Sequence, residues 1–411
     1  MQIEREGENH HVQLQLSPFI TAIFIHRSVT RSSIPKMEIK ALNVYPIKAL
    51  RPIQITEATL TPQGILHDRT YMLFKENPDS TIRKMQLSTF PQCALFSQEI
   101  VGSPNNDGGK EILVKYNIPT PPLIDHHILQ DTTLSVPLVP DTSSLEPISV
   151  DLHGSPAEAI RMGEPYDAFF SACFGFPTIL VHIGSGRRRV LGTLAPGSSS
   201  KQQQQQSSSL FSSITSYLPS LSSLSKSEDE EQAWLTFTDC APYLITSDSS
   251  LSYPSLTSFQ NPDASSTIMP KMRPNIVVED SSEAPFAEDF WAELSLPASS
   301  DAKLLLTANC GRCTSLNVDY ALGRAAPGPE GKLLNTLMKD RRVDPGHKYA
   351  PVFGRYAFLE VPPVGDGSLA GDETVQVRVG DQVVVTRRNA ERTVFDWDIP
   401  APAAKKTVAV A

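Results

Sequence analysis

A tract from Pro196 to Gln232 divides this 411-residue chain more sharply than any other feature. Its composition collapses to serine and glutamine, with the run Gln202–Gln206 and the acidic cluster Glu228–Glu231. Such a tract buries too little apolar surface to offset the entropy of ordering it. It reads as a mobile insertion over 196–232 that carries no chemistry, so the fold must be built from the sequence on either side. Residues 1–36 read as a second disordered stretch. They carry Arg27 and Arg31 but also Glu4, Glu6 and Glu8, which fits poorly with an acid-poor transit peptide.

The remaining sequence is punctuated in the manner of β-structure. Glu38–Val44 is β-compatible and partly alternating, Thr70–Phe74 is an apolar run of strand length, and Pro46, Pro52, Pro62 and Gly64 mark turns between them. Ala157–Ile160 and Ala168–Phe174 carry apolar residues at helical spacing, Gly175 is a stop, and Pro177–Ile183 reads as a buried strand. Beyond the tract, Pro285, Phe286, Phe290, Trp291 and Leu294 predict a short amphipathic helix. Val375, Val377 and Val379 followed by Gly380-Asp381 and Val383–Val385 predict a β-hairpin. The expected class is α+β, β-dominated, with barrel architecture. A first domain spans 37–155, a second spans 156–390 with the insertion inside it, and 391–411 forms a tail.

Charge and cysteine usage exclude several functions. A net charge of −9 and a pI near 5.5 argue against a nucleic-acid binder, because such proteins present a basic face to phosphates. An anionic ligand would need a local cationic pocket. Cys93, Cys173, Cys240, Cys310 and Cys313 are few and odd in number, which disfavours a secreted disulfide framework and favours a reduced, intracellular compartment, cytoplasmic or mitochondrial. The most apolar N-terminal run, Phe19–Ile25, is about a third of the roughly 20 residues that cross a bilayer, so no transmembrane segment is expected.

The sharpest chemical feature is Leu304–Cys313, an apolar strand running into Cys310-Gly311-Arg312-Cys313. A guanidinium beside a thiol favours the thiolate, the form that ligates metals. Spacing alone leaves three readings open: half of a zinc site without a second cysteine pair, a redox dithiol for which Thr314–Val318 looks too extended, or two buried cysteines. Lys48, Arg69 and Arg273 each sit beside turn signals where they could grip an anion. Gly184–Arg189 also looks anion-binding but matches neither a Walker loop nor a dinucleotide fingerprint. The adjacent pairs His10-His11 and His126-His127 do not present one coordination face, and the chain has no Gly-x-Ser-x-Gly elbow.

Taken in order, these pieces resemble the MOSC superfamily and, more closely, the mitochondrial amidoxime-reducing component. The matching elements are Asn43-Val44-Tyr45-Pro46-Ile47-Lys48, Gly64–Tyr71, Thr238–Ile245, Met272–Val278, Cys310–Cys313 with Asn317-Val318-Asp319, Phe353–Tyr356 and Val379-Gly380-Asp381. The resemblance implies an N-terminal MOSC-type β-barrel packed on a MOSC β-barrel, with a molybdenum-pterin cofactor (Mo-molybdopterin) between them. It makes Cys313 the ligand to molybdenum and Arg312 its catalytic neighbour. It assigns Lys48, Arg69, Arg273, Asn275, Gly311, Arg312 and Tyr356 to pterin and phosphate contacts. Ala49 stands where the animal reductases have a serine, and Cys240 and Ala241 replace hydroxyls near Asp239. The membrane anchor of the animal enzymes is not found at the start of this chain.

The activity implied is reduction of N-hydroxylated compounds such as amidoximes and hydroxylamines. Electrons would come from a b-type cytochrome and its NADH-dependent reductase, since no haem, flavin or nicotinamide motif is present. The alternative is a cofactor carrier or sulfur-transfer module, resembling the C-terminal domain of molybdenum cofactor sulfurase.

Overall fold

The computed structural model describes residues 37–102, 109–198, 233–259, 265–362 and 374–399, all within one compact unit. The stretch before Met37, the insertion from residue 199 to 232 and the chain beyond Ile399 lie outside the described residues.

Strand patterning dominates, as the alternation of the sequence requires. In Glu38–Val44, Ile39, Leu42 and Val44 are buried, and in Ala302–Gly311 Leu304 and Leu306 face the same core. An eight-stranded sheet runs in the order Ile53–Ile55, Glu38–Val44, Ile276–Glu279, Tyr243–Ser247, Val352–Glu360, Ala302–Gly311, Trp291–Leu296, Val384–Arg388. One pair in it, Tyr243–Ser247 with Ile276–Glu279, is parallel. The two N-terminal strands are thus stitched into a sheet otherwise made by the second half of the chain. The core beneath it includes Trp291, Tyr243, Leu294 and Val278.

The first half builds its own layers. A five-stranded sheet orders Pro147–Leu152, Ser155–Arg161, Thr178–His182, Tyr71–Glu76 and Ile82–Lys84. A three-stranded sheet orders Phe96–Gly102, Lys110–Tyr116 and Thr133–Pro137. The helix Tyr166–Phe174 presses Phe169, Phe170 and Phe174 onto Phe96, with ring centroids 4.9 to 6.4 Å apart. Gly175 ends that helix in the left-handed conformation, φ 75°, which glycine adopts without steric cost.

Tertiary pairing overrides four local expectations. Ala157–Ile160 is strand, because Ser155–Arg161 hydrogen-bonds to Pro147–Leu152 along its whole length. The predicted helix around Phe290 is a single 3-10 turn, Ala287–Phe290, after which Trp291–Leu296 is held as strand by partners on both sides. The expected C-terminal hairpin does not form: Val375–Arg378 pairs with Glu57–Thr61 while Val384–Arg388 pairs with Trp291–Ser295. Thr314–Asn317 is a 3-10 turn, not extended chain. The division expected at residue 155 falls at a hairpin turn, with strands of one sheet on both sides. Residues 391–399, read as tail, are anchored: Phe395 and Trp397 are buried in one cluster with Cys310 and Tyr356.

Candidate cofactor site

The ends of four central strands and the middle of a fifth line one cleft. Lys48 follows Glu38–Val44, Asp239 precedes Tyr243–Ser247, Asn275 precedes Ile276–Glu279, Cys310 and Gly311 close Ala302–Gly311, and Tyr356 lies within Val352–Glu360. All eight residues singled out from the sequence, Lys48, Arg69, Arg273, Asn275, Gly311, Arg312, Cys313 and Tyr356, line it.

Four cations meet here in an acidic protein. Arg69 and Arg273 lie on opposite turns with left-handed backbones, φ 51° and 55°, and each guanidinium sits 4.4 Å from the centroid of the Tyr45 ring. The aromatic ring thereby separates two like charges while attracting both. Arg69 is fixed by an ion pair with buried Asp68 and by Asn275 Oδ1 at 3.2 Å. Asn275 Nδ2 in turn donates to Asp68 Oδ2 at 3.0 Å and to Asn43 O at 3.4 Å, so its side-chain donors are spent on the frame. Arg273 Nη1 donates to Leu50 O at 2.8 Å.

The two cysteines of the turn differ in kind. Cys313 is exposed, and its Sγ lies 3.1 Å from Ser315 Oγ. Cys310 is buried and accepts from Arg312 Nη1 at 3.0 Å, and Tyr356 bonds the same sulfur. Burial pushes the Cys310 thiol up against the pull of Arg312, and holds the Tyr356 phenol well above its usual range. Arg312 Nη2 donates to Met272 O at 2.8 Å, so the guanidinium ties the turn to the neighbouring helix end. Gly311 owes its lack of a side chain to His347, since a Cβ would stand 2.6 Å from the imidazole Nδ1. Its N–H donates to His347 Nε2 at 3.2 Å.

Across the cleft, Lys48 Nζ donates to Asp239 Oδ1 at 2.6 Å and to Phe237 O at 2.8 Å. Burial lowers the Lys48 amine to about 8. Burial opposes ionisation of Asp239, but Lys48 and His153 outweigh it and hold the carboxyl well below its usual range. Gln86, Ser88 and Ser315, which sequence reasoning left out, also line the cleft, as do Thr238 and Asp239, which it placed in a matching element but gave no role. Hydroxyls, amides and single carboxylates are too common for any spacing rule to pick out. The Gly184–Arg189 stretch is not at the site. Arg188 is fully buried and gives its five N–H groups to Ser155 O, Thr236 O, Thr238 O, Leu152 O and Asp239 O. His126 pairs with Asp131 and His127 caps a 3-10 turn, away from the cleft.

Three buried polar atoms in the lining lack a partner: Thr238 Oγ1, Arg273 Nη2 and Arg312 Nε. Unpaired buried donors are costly, so donors of this kind clustered around one cleft fit a polyanionic ligand that would accept from them. A pterin carrying a phosphate and a dithiolene would be such a ligand, and Cys313 is the exposed thiol in the lining that would reach its metal. Among the described residues no three His, Cys, Asp or Glu side chains cluster as a ready-made metal site.

The family model of the MOSC N-terminal beta barrel domain matches residues 36–176, and that of the MOSC domain matches residues 232–384. The chain is 21% identical over 284 residues to the molybdenum cofactor sulfurase of Danio rerio, a match covering 68% of this chain and 28% of that protein. The chain thus spans little more than a quarter of that relative. No helix among the described residues is long and apolar enough to cross a membrane. With a β-dominated fold and both segments matched, the chain carries an N-terminal MOSC β-barrel domain followed by a MOSC domain and belongs to the MOSC superfamily.

Proposed function

We propose that this protein binds a molybdenum-pterin cofactor in the cleft, with Cys313 as the protein ligand to molybdenum, and that it reduces N-hydroxylated compounds. The observation that carries this reading is an exposed thiol beside four cations, two of which, Arg273 and Arg312, keep buried N–H groups unpaired. Lys48, Arg69, Arg273 and Arg312 would hold the anionic groups. Asn275 acts on them by fixing Arg69, Gly311 by letting the turn approach His347, and Tyr356 by holding the buried Cys310 sulfur. When bound, the cofactor supplies a two-electron centre for oxygen removal. The protein's share is orientation and charge: Arg312 sets a fixed positive charge between the two thiols, and the Tyr45 ring keeps Arg69 and Arg273 apart. Electrons would come from a b-type cytochrome and its NADH-dependent reductase.

A second reading, a cofactor carrier or sulfur-transfer module, is favoured by the similarity to a protein named a sulfurase. One experiment addresses both. Molybdenum per protein is measured by elemental mass spectrometry for wild type and Cys313→Ser from a cofactor-producing host, followed by benzamidoxime turnover with a reduced cytochrome. Near-stoichiometric metal lost in the variant, with steady turnover by wild type, is expected. Bound metal without turnover favours the carrier, and folded wild type without molybdenum refutes both.

A further inference from the structure

The two sulfurs of the Cys310–Cys313 turn are served by different donors. Arg312 donates through Nη1 to Cys310 Sγ at 3.0 Å and through Nη2 to Met272 O at 2.8 Å. The polar partner of Cys313 Sγ is instead Ser315 Oγ, at 3.1 Å. Cys313 is the N-cap of the 3-10 turn Thr314–Asn317 yet makes no side-chain capping bond, so its sulfur is not spent on the backbone N–H groups of that turn.

The Ser315 hydroxyl differs from its counterparts elsewhere in the chain. Hydroxyls in or closing 3-10 turns bond back to the carbonyl three residues earlier: Ser252 Oγ to Ser249 O and Thr257 Oγ1 to Pro254 O at 2.7 Å, Thr132 Oγ1 to Leu129 O at 2.8 Å. Ser315 forgoes that bond to Arg312 O, and among the described residues its hydroxyl has the Cys313 sulfur as its partner. It is buried and lines the cleft beside Cys313. The turn that carries it is pinned from several sides. Leu316 is fully buried in one cluster with Leu333, Leu337 and Phe353, Asn317 Oδ1 accepts from Leu334 N at 2.9 Å, and Asn317 O accepts from Ala326 N at 2.7 Å. The frame, not the hydroxyl's own bonding to backbone, thus holds Oγ against the sulfur.

Resting on Cys313 as the metal ligand proposed above, we infer that Ser315 is a positioning residue: it donates a hydrogen bond to the Cys313 thiolate and thereby raises the reduction potential of the bound metal. Between a thiol and a hydroxyl either atom can donate, but a ligating thiolate carries no proton, which leaves Oγ–H as the donor. A hydrogen bond to a ligand sulfur draws electron density from it and so favours the reduced metal. Arg312, engaged by Cys310 and Met272 O, contributes charge nearby, whereas Ser315 contributes the contact.

Wild type, Ser315→Ala and Ser315→Thr, purified from a cofactor-producing host, are compared by molybdenum content and by potentiometric titration of the Mo(V) signal in electron paramagnetic resonance. All three are expected to hold metal near stoichiometrically. In Ser315→Ala the one-electron reduction equilibrium should be about tenfold less favourable, a midpoint lower by about 59 mV. Ser315→Thr, which keeps the hydroxyl, should titrate with wild type. Equal midpoints in wild type and Ser315→Ala overturn the inference, and so does a Ser315→Thr midpoint that moves with Ser315→Ala, because packing and not the hydroxyl would then be the cause. A Cys313→Ser protein that keeps its metal and the wild-type spectrum overturns the ligand reading instead. The titration needs no turnover, so it decides the role of Ser315 whether or not the protein is a reductase.

Discussion

Two arginine-bearing segments of this chain look alike as sequence and behave as opposites. In Gly184–Arg189, Arg188 is fully buried and all five of its N–H groups end on backbone carbonyls. At the Cys310–Cys313 turn, Arg312 is nearly as buried but keeps Nε unpaired, and Arg273 opposite keeps Nη2 unpaired. A saturated guanidinium is a structural clamp, whereas a spare buried donor that also lines a cleft can take an acceptor there; Arg355 keeps Nε unpaired too, but away from the cleft. Positive charge therefore identifies neither; the tally of partners together with the place in the cleft does.

The largest expected effect comes from removing the clamp. Arg188→Ala leaves five carbonyls facing a void and should destabilise the fold by about 3 to 5 kcal/mol in denaturant titration. Arg273→Ala loses one carbonyl bond and its stacking on Tyr45, about 1 to 2 kcal/mol, yet should abolish cofactor retention. Equal destabilisation by the two would end the distinction.

Gly311→Ala sharpens it at the turn itself. The new methyl would collide with the His347 ring, which stacks on Phe395 with centroids 4.0 Å apart. A loss of about 1 to 3 kcal/mol is expected by calorimetry, with weakened metal retention. An unchanged melting temperature would show that His347 moves aside freely.

The last effect is a pH dependence. Lys48 is lowered from 10.5 to about 8 in the fold, so between those values the unfolded chain binds the proton and the folded one does not. Unfolding free energy should therefore rise with pH from about 8 to 10.5 in wild type relative to Lys48→Met. Phosphate affinity of the cofactor-free protein should fall over the same start of the window. A flat difference between the two proteins would mean that Lys48 stays charged, which removes its contrast with the arginines.

Much of the site was legible because its residues stand next to turn signals at strand ends, as with Lys48, Arg69, Arg273 and the Cys310–Cys313 turn. Strand identity was legible where alternation is strong, in Glu38–Val44 and Val375–Arg378. Which strands pair was not. The valines flanking Gly380 have the pattern of a hairpin, yet distant partners with complementary edges compete for them and win. The same limit hid His153, which lies 86 residues from the carboxylate it contacts. By itself the sequence determined the family, the β-dominated class and the cationic residues of the cleft, because those follow from local pattern and composition. Only the tertiary structure decided which arginine is saturated, which cysteine is exposed and which histidines back the cleft lining, because hydrogen-bond satisfaction and burial are properties of neighbours brought together by the fold.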